Sequence, residues 1–249
     1  MTLWRLEWLR LVRTRRLPAL IAVYAFFGLT GPLTARYLGE ILRAVGTEGV
    51  QVQFPDPAPA DGVAQFAGNA SQIGLLVVVL IAASALAFDA RREMAVFLRT
   101  RVTGVHSIVL PAYGVTVGGA AAGFVAGSAC AWYETTVLLG APPAGAMLVG
   151  TAYGVAFLAF AVALVAFVAA LVRGVLAAAG VTLVLLLFTG ILGGVAQANT
   201  WLPTGLLGAV TALTAGAAPA DYLPALAVTG VLAVLALAGA VTLGNRREL

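Results

Sequence analysis

Lysine is missing from this chain; all 14 basic residues are arginine. A phosphate-binding loop closing in Gly-Lys-Ser/Thr is therefore excluded, and ATP hydrolysis is not expected on this chain. Cysteine and histidine occur once each, as Cys130 and His106. A lone cysteine forms no intrachain disulfide, and one of each is too few for a conventional zinc or haem site. Charge is scarce as well: 10% of the 249 residues are charged against 61% hydrophobic, with a mean hydropathy of +1.02. A soluble chain of this size needs far more polar surface. Several apolar runs reach the ~18–20 residues that cross about 30 Å of hydrocarbon. These properties define an all-α polytopic membrane protein. The pI near 9.7 would suit nucleic acid, but the arginines flank apolar runs, where positive charge has a topological cause.

What is present is an apolar chain interrupted by one island of charge, Asp89 to His106. Drawn as a helix, Met94, Phe97, Leu98, Val102 and Val105 form one apolar face. Asp89, Arg92, Glu93, Arg99 and His106 fall on the opposite side, Arg91 lies within the charged run, Arg101 interrupts the stripe, and Gly104 bends or ends the helix. A solvated connector and a surface helix offered to a soluble partner both fit this pattern. Ahead of it, Met1–Arg16 carries five arginines, with Trp4, Trp8, Leu11 and Val12 on one helical face and Arg5, Arg10 and Arg13 on the others. Such a segment lies in the membrane interface, tryptophans at headgroup depth and arginines on anionic lipid. A signal peptide is disfavoured, since the next run of about 22 residues exceeds an h-region of about 7–15.

Six spans are expected, at about 17–38, 71–88, 107–131, 144–172, 174–195 and 222–243, in one transmembrane domain covering 1–249. Gly31-Pro32 is expected to bend the first. Gly39–Ala70, with its PDPAPAD run, reads as a loop with some helix at its edges. Trp132–Glu134 and Pro142-Pro143 read as a turn, and Ala196–Asp221 as a segment divided by Pro203 and Pro219. With both termini cytoplasmic, twelve of the 14 arginines are cytoplasmic, leaving Arg36 and Arg43 outside. Gly119, Gly123 and Gly127 form a small-residue ladder where helix backbones can approach closely. Gly150 with Gly154 and Gly190 with Gly194 repeat the spacing. No active site is legible. Ser128 and His106 would be 22 residues apart on one helix, about 33 Å, too far for nucleophile and base.

In order and spacing the chain resembles the six-span permease subunits of the ATP-binding-cassette exporters, the family that includes drug- and antibiotic-export permeases. WRLEWLRLVRTRR resembles the family's elbow helix. RREMAVFLRTRVTG resembles the coupling helix between spans two and three: Glu93, Phe97-Leu98 and Arg101 fit, while Met94-Ala95 stands where Gly-Thr is common and Val102 where proline is. Ala196–Asp221 looks like the outer re-entrant hairpin, and GNRREL like the short basic tail. The resemblance implies two permease copies, identical or related, in the inner (plasma) membrane with separate ATPase subunits that carry the ATP and magnesium. It implies that Asp89, Arg91, Arg92, Glu93, Phe97, Leu98, Arg99, Arg101 and His106 meet those subunits. A channel or accessory subunit working without an ATPase, and an intramembrane enzyme, are the other open readings.

Overall fold

The computed structural model describes residues 2–45, 56–87, 104–193 and 201–246. The island residues Asp89, Arg91, Arg92, Glu93, Phe97, Leu98, Arg99 and Arg101 lie outside these, as does Gly194. The described residues are helical throughout, without strands. In chain order the helices are α1 (Leu3–Arg13), α2 (Arg16–Val45), α3 (Pro59–Asn69), a π-helical turn (Ala70–Gly74), α4 (Leu75–Leu86), α5 (His106–Leu138), α6 (Ala144–Leu171), α7 (Val175–Gly193), α8 (Gly205–Thr214) and α9 (Leu223–Arg246). A 3-10 turn, Pro219–Tyr222, leads into α9. Five stretches are long and apolar enough to cross a membrane: Arg16–Ile41, Pro59–Leu86, His106–Leu138, Ala144–Leu171 and Pro219–Arg246. Val175–Ile191 and Gly205–Thr214 are shorter apolar pieces.

Two stretches read as loop or turn carry more helix than expected where they are described, and 46–55 lies outside the described residues. The prolines before the second span start a helix rather than a loop: Pro59 occupies the first turn, where its missing N–H is no loss, and the Asp61 carboxylate accepts the Ala58 N–H at 2.8 Å. From there the chain runs through the π turn into α4, so the second long helix begins at Pro59 and not near Ser71. Likewise α5 does not turn at Trp132–Glu134. It continues to Leu138, and the turn follows at Gly140, whose φ of +105° favours glycine. At 33 residues α5 is about 50 Å long, well beyond the ~30 Å hydrocarbon. Pro32 lies inside α2, which extends past the expected boundary to Val45.

The bundle is organised on α2 and α5, which run parallel. The position of an added Cβ on Gly123 is 3.1 Å from the Leu20 carbonyl, that on Gly127 is 2.6 Å from the Tyr24 oxygen, and Gly28 abuts the Gly127 carbonyl and Cys130. Residue numbers rise together on the two helices, and the ladder of Gly119, Gly123 and Gly127 is where the backbones meet. Gly119 receives Leu11 and Leu20. Lipid removes the hydrophobic drive between helices, so close van der Waals contact supplies the attraction, and small residues permit it. Aromatic rings then fill the space beside the seam: Tyr24 meets Phe124 edge-on with centroids 5.5 Å apart, and Phe66 lies 5.8 Å from Phe124 on the other side. The helix α6 crosses this pair, with Gly154 against the Phe124 ring and Gly150 against Val210 of α8. Gly190, by contrast, has no neighbour within 4 Å of its Cβ position.

Candidate functional site

Because the long helices alternate in direction, α1, the end of α4, the start of α5, the end of α6 and the end of α9 gather at one end of the bundle. Leu86, the last residue of α4, and Val105, just before α5, both line a small enclosed space. Val109 of α5, Ala166, Ala169 and Ala170 of α6 and Ala240 and Gly244 of α9 line it too. His106 opens α5 as an exposed residue, its ring folded over Gly104, 2.8 Å from Nδ1 to where a Cβ would be. Ser128 is buried 22 positions further along the same helix, so the hydrolase pairing does not form.

At this end α1 lies against α5. Trp4 rests on Gly114 and Leu11 on Gly119, while Trp8 is 49% exposed and Arg5 and Arg13 are also exposed. Leu3, Glu7 and Leu11 turn towards the bundle, while Trp4, Trp8 and Val12 stay exposed. Glu7 therefore faces inward. Its side chain is 16% exposed and Oε1 is 3.6 Å from Arg10 Nη1. Burial pushes the Glu7 carboxyl above its ordinary range, with the neighbouring arginines opposing the shift. Arg10 Nη2 in turn donates to the Ser84 carbonyl at 3.4 Å, and the Val105 N–H donates to Asn245 Oδ1 at 3.2 Å. Sequence reading missed both contacts, since the second joins residues 140 positions apart.

A second feature lies between α4, α6, α7 and α8: a groove of about 770 Å³, open on one side. Leu75, Phe157, Leu186 and Leu207 form its walls, Gly190 and Gly208 keep it wide, and among the described residues no charged one lines it. Polar groups enter at the π turn, where Ser71 and the exposed Gln72 stand at the edge. The Ser71 hydroxyl is committed to the Ala67 carbonyl at 2.6 Å, and Gln72 and Thr204 are the other polar side chains of the lining. Single π turns inside helices recur at functional sites, and a polar side chain at membrane depth carries a functional presumption. The available signal was an amide inside an apolar run. The far end of the bundle holds a cavity of about 390 Å³ lined in part by Arg36, Glu40, Asp56 and Asp61.

The fold and these features define the class: an all-helical polytopic membrane protein. Comparison with known protein families, curated proteins and solved structures finds no match.

Proposed function

We propose that this chain is the membrane-spanning permease subunit of an ATP-driven exporter. The observation that supports it best is the common end at which both ends of the charged segment meet α1, α6 and α9. Leu86 and Val105, which flank that segment, pack beside α6 and α9, the placement needed for work from a soluble motor to reach several spans. Arg5, Arg10, Arg13, Arg15, Arg16, Arg173 and Arg246 belong to the same end, and the positive-inside rule makes it cytoplasmic. In this reading α7, 19 residues or about 28 Å long, is a sixth span. Helix α1 is then the interfacial elbow, and α8 with the 3-10 turn is an outer re-entrant hairpin packed on α6. Separate ATPase subunits, carrying ATP and magnesium, dock on the 88–103 segment, and a second permease copy or a related chain completes the assembly. The uncharged groove beside Gln72 belongs to the cargo pathway and suits an apolar or amphipathic cargo.

The test is purification from native membranes in mild detergent, followed by reconstitution into liposomes. An ATP-hydrolysing partner in fixed ratio, and cargo movement that requires ATP, are expected. Solute movement by the chain alone, independent of ATP, would establish a channel or accessory subunit instead.

A further inference from the structure

The groove between α4, α6, α7 and α8 is graded in polarity along the membrane normal. On one wall the chain runs from Ser71 and Gln72 to Leu76 towards the end where α1 lies, and on the other α7 runs away from that end, from Leu183 to Ile191. Thr204 donates to the Thr189 carbonyl at 3.4 Å, which sets it beside the late part of that α7 stretch. All three polar side chains of the lining therefore stand at the end away from α1. Leu76, Leu183 and Phe157, which is midway along α6, line the deeper part. The α7 stretch rises about 12 Å, against ~15 Å for one leaflet, half of the hydrocarbon thickness. Gly190 and Gly208 both line the groove, and an added Cβ on either meets nothing within 4 Å. Close helix contact explains Gly123 and Gly127 but neither of these; what they leave open is the groove itself.

An apolar space of this kind does not hold water, and left empty it forfeits the contacts of its lining. An ionised ligand would find no counter-charge among the described lining residues. A long apolar tail with an uncharged polar link at its outer end matches the grading. We propose that the groove seats one acyl chain of an ester-linked lipid of the outer leaflet, the chain lying inward along α4 and α7 and the ester carbonyl accepting from the Gln72 amide. That placement rests on the cytoplasmic reading of the α1 end, and with the exporter reading it names the cargo class as an acyl-bearing lipid. Within a bilayer the tail gains nothing by leaving water, so close fit and the hydrogen bond at Gln72 select it.

The test uses the purified full-length chain in phosphatidylcholine vesicles, without ATP, and a phosphatidylcholine probe carrying a photoactivatable diazirine on one acyl chain. Mass spectrometry then locates the label. A diazirine near the methyl end should mark Leu76 or Leu183, and one near the ester should mark Gln72 or Ile191. Gly208→Leu, which puts a side chain into the groove, should abolish this labelling. Gly180→Leu should leave it unchanged, since Gly180 is equally open but lies outside the groove. Gln72→Leu should lower it about fivefold, the factor for one net hydrogen bond, and should have no effect on an ether-linked probe, which lacks the carbonyl. Equal labelling of the Gly208 and Gly180 variants would mean surrounding lipid only and overturn the site. The reverse order of the two diazirine positions would overturn the inward tail, and an equal loss with ester and ether probes would remove the Gln72 contact. Because no ATPase takes part, failure here leaves the exporter reading to its own test, and a chain that proves to be a channel keeps the lipid site if the labelling holds.

Discussion

Two glycines on α5 should respond in opposite directions to the same added methyl group. At Gly127 the new Cβ would lie 2.6 Å from the Tyr24 oxygen and 2.8 Å from the Tyr24 carbonyl carbon, both backbone atoms that cannot rotate away. Ordinary contact begins at 3.4 Å, so α2 must retreat by roughly 0.8 Å, which loosens the Leu20 contact on Gly123 and the Tyr24–Phe124 pair. Overpacking of this kind costs about 1–3 kcal/mol, offset by about 1 kcal/mol from alanine's better helix propensity. The net expectation is about 0–2 kcal/mol of destabilisation. Gly118 lies on the same helix with nothing within 4 Å of its Cβ position, so Gly118→Ala should be neutral or stabilising by up to about 1 kcal/mol. The propensity gain is common to both variants, so they differ by the overpacking cost of about 1–3 kcal/mol, and at about 2–4 °C per kcal/mol thermal unfolding in detergent should separate them by about 2–12 °C. Coincident melting temperatures, or a more stable Gly127→Ala, would show that α2 and α5 do not pack through this seam.

Cysteines placed at Asp56 and at Arg173 in the Cys130→Ala background should label from opposite sides of the membrane, Asp56 from outside intact cells; labelling of both from outside refutes the orientation. Glu93→Arg should weaken ATPase association by tenfold or more, since like charge in a partly desolvated interface costs more than ~1.4 kcal/mol. Phe97→Ala should leave the complex intact but uncouple hydrolysis from export. Wild-type complex yield and transport in both, at normal membrane levels, would reduce the segment to a connector. Glu7 gives a pH test. Its folded-state pKa is raised from 4.5, so the docking of α1 is strongest below 4.5 and weakens as pH climbs through the higher folded value. Glu7→Gln should abolish that slope, measured as stability against pH, and an unchanged slope assigns it to another group.

How much of this architecture could be read from the residues depends on what each feature is made of. Span length is legible because hydrocarbon admits no unsatisfied backbone, so a crossing helix must be one long apolar run. The run 144–172 accordingly became α6 within a residue of its expected ends. Charge placement is legible for the same reason, and the arginines of the described residues collect at one end apart from Arg36 and Arg43 of α2. The errors fall where a local signal has two meanings. Pro57, Pro59 and Asp61 looked like loop composition, yet proline in a first turn and an acidic residue three positions past the cap are also how helices begin. Tyr133 and Glu134 looked like a turn, but α5 is long enough to carry them beyond the apolar slab while still helical.

Lateral packing is a different matter. In water the apolar stripe of a helix announces which face is inward; in lipid both faces are apolar, and only shape distinguishes them. That is why the small-residue spacings, Gly119, Gly123 and Gly127 with Gly150 and Gly154, were the packing features that could be found, and why Gly28, which has no glycine four positions away on α2, could not. Shape also fails to predict hydrogen-bond register. The π turn at Ala70–Gly74 depends on one residue more per turn, which no pattern of apolar side chains reveals, and Gln72 owes its place at the groove to that turn. The Arg10–Ser84 and Val105–Asn245 contacts are harder still, since they need the helices to be placed before the partners can be named. The features hidden from the sequence are therefore those joining one helix to another, because each depends on two segments that lie far apart along the chain.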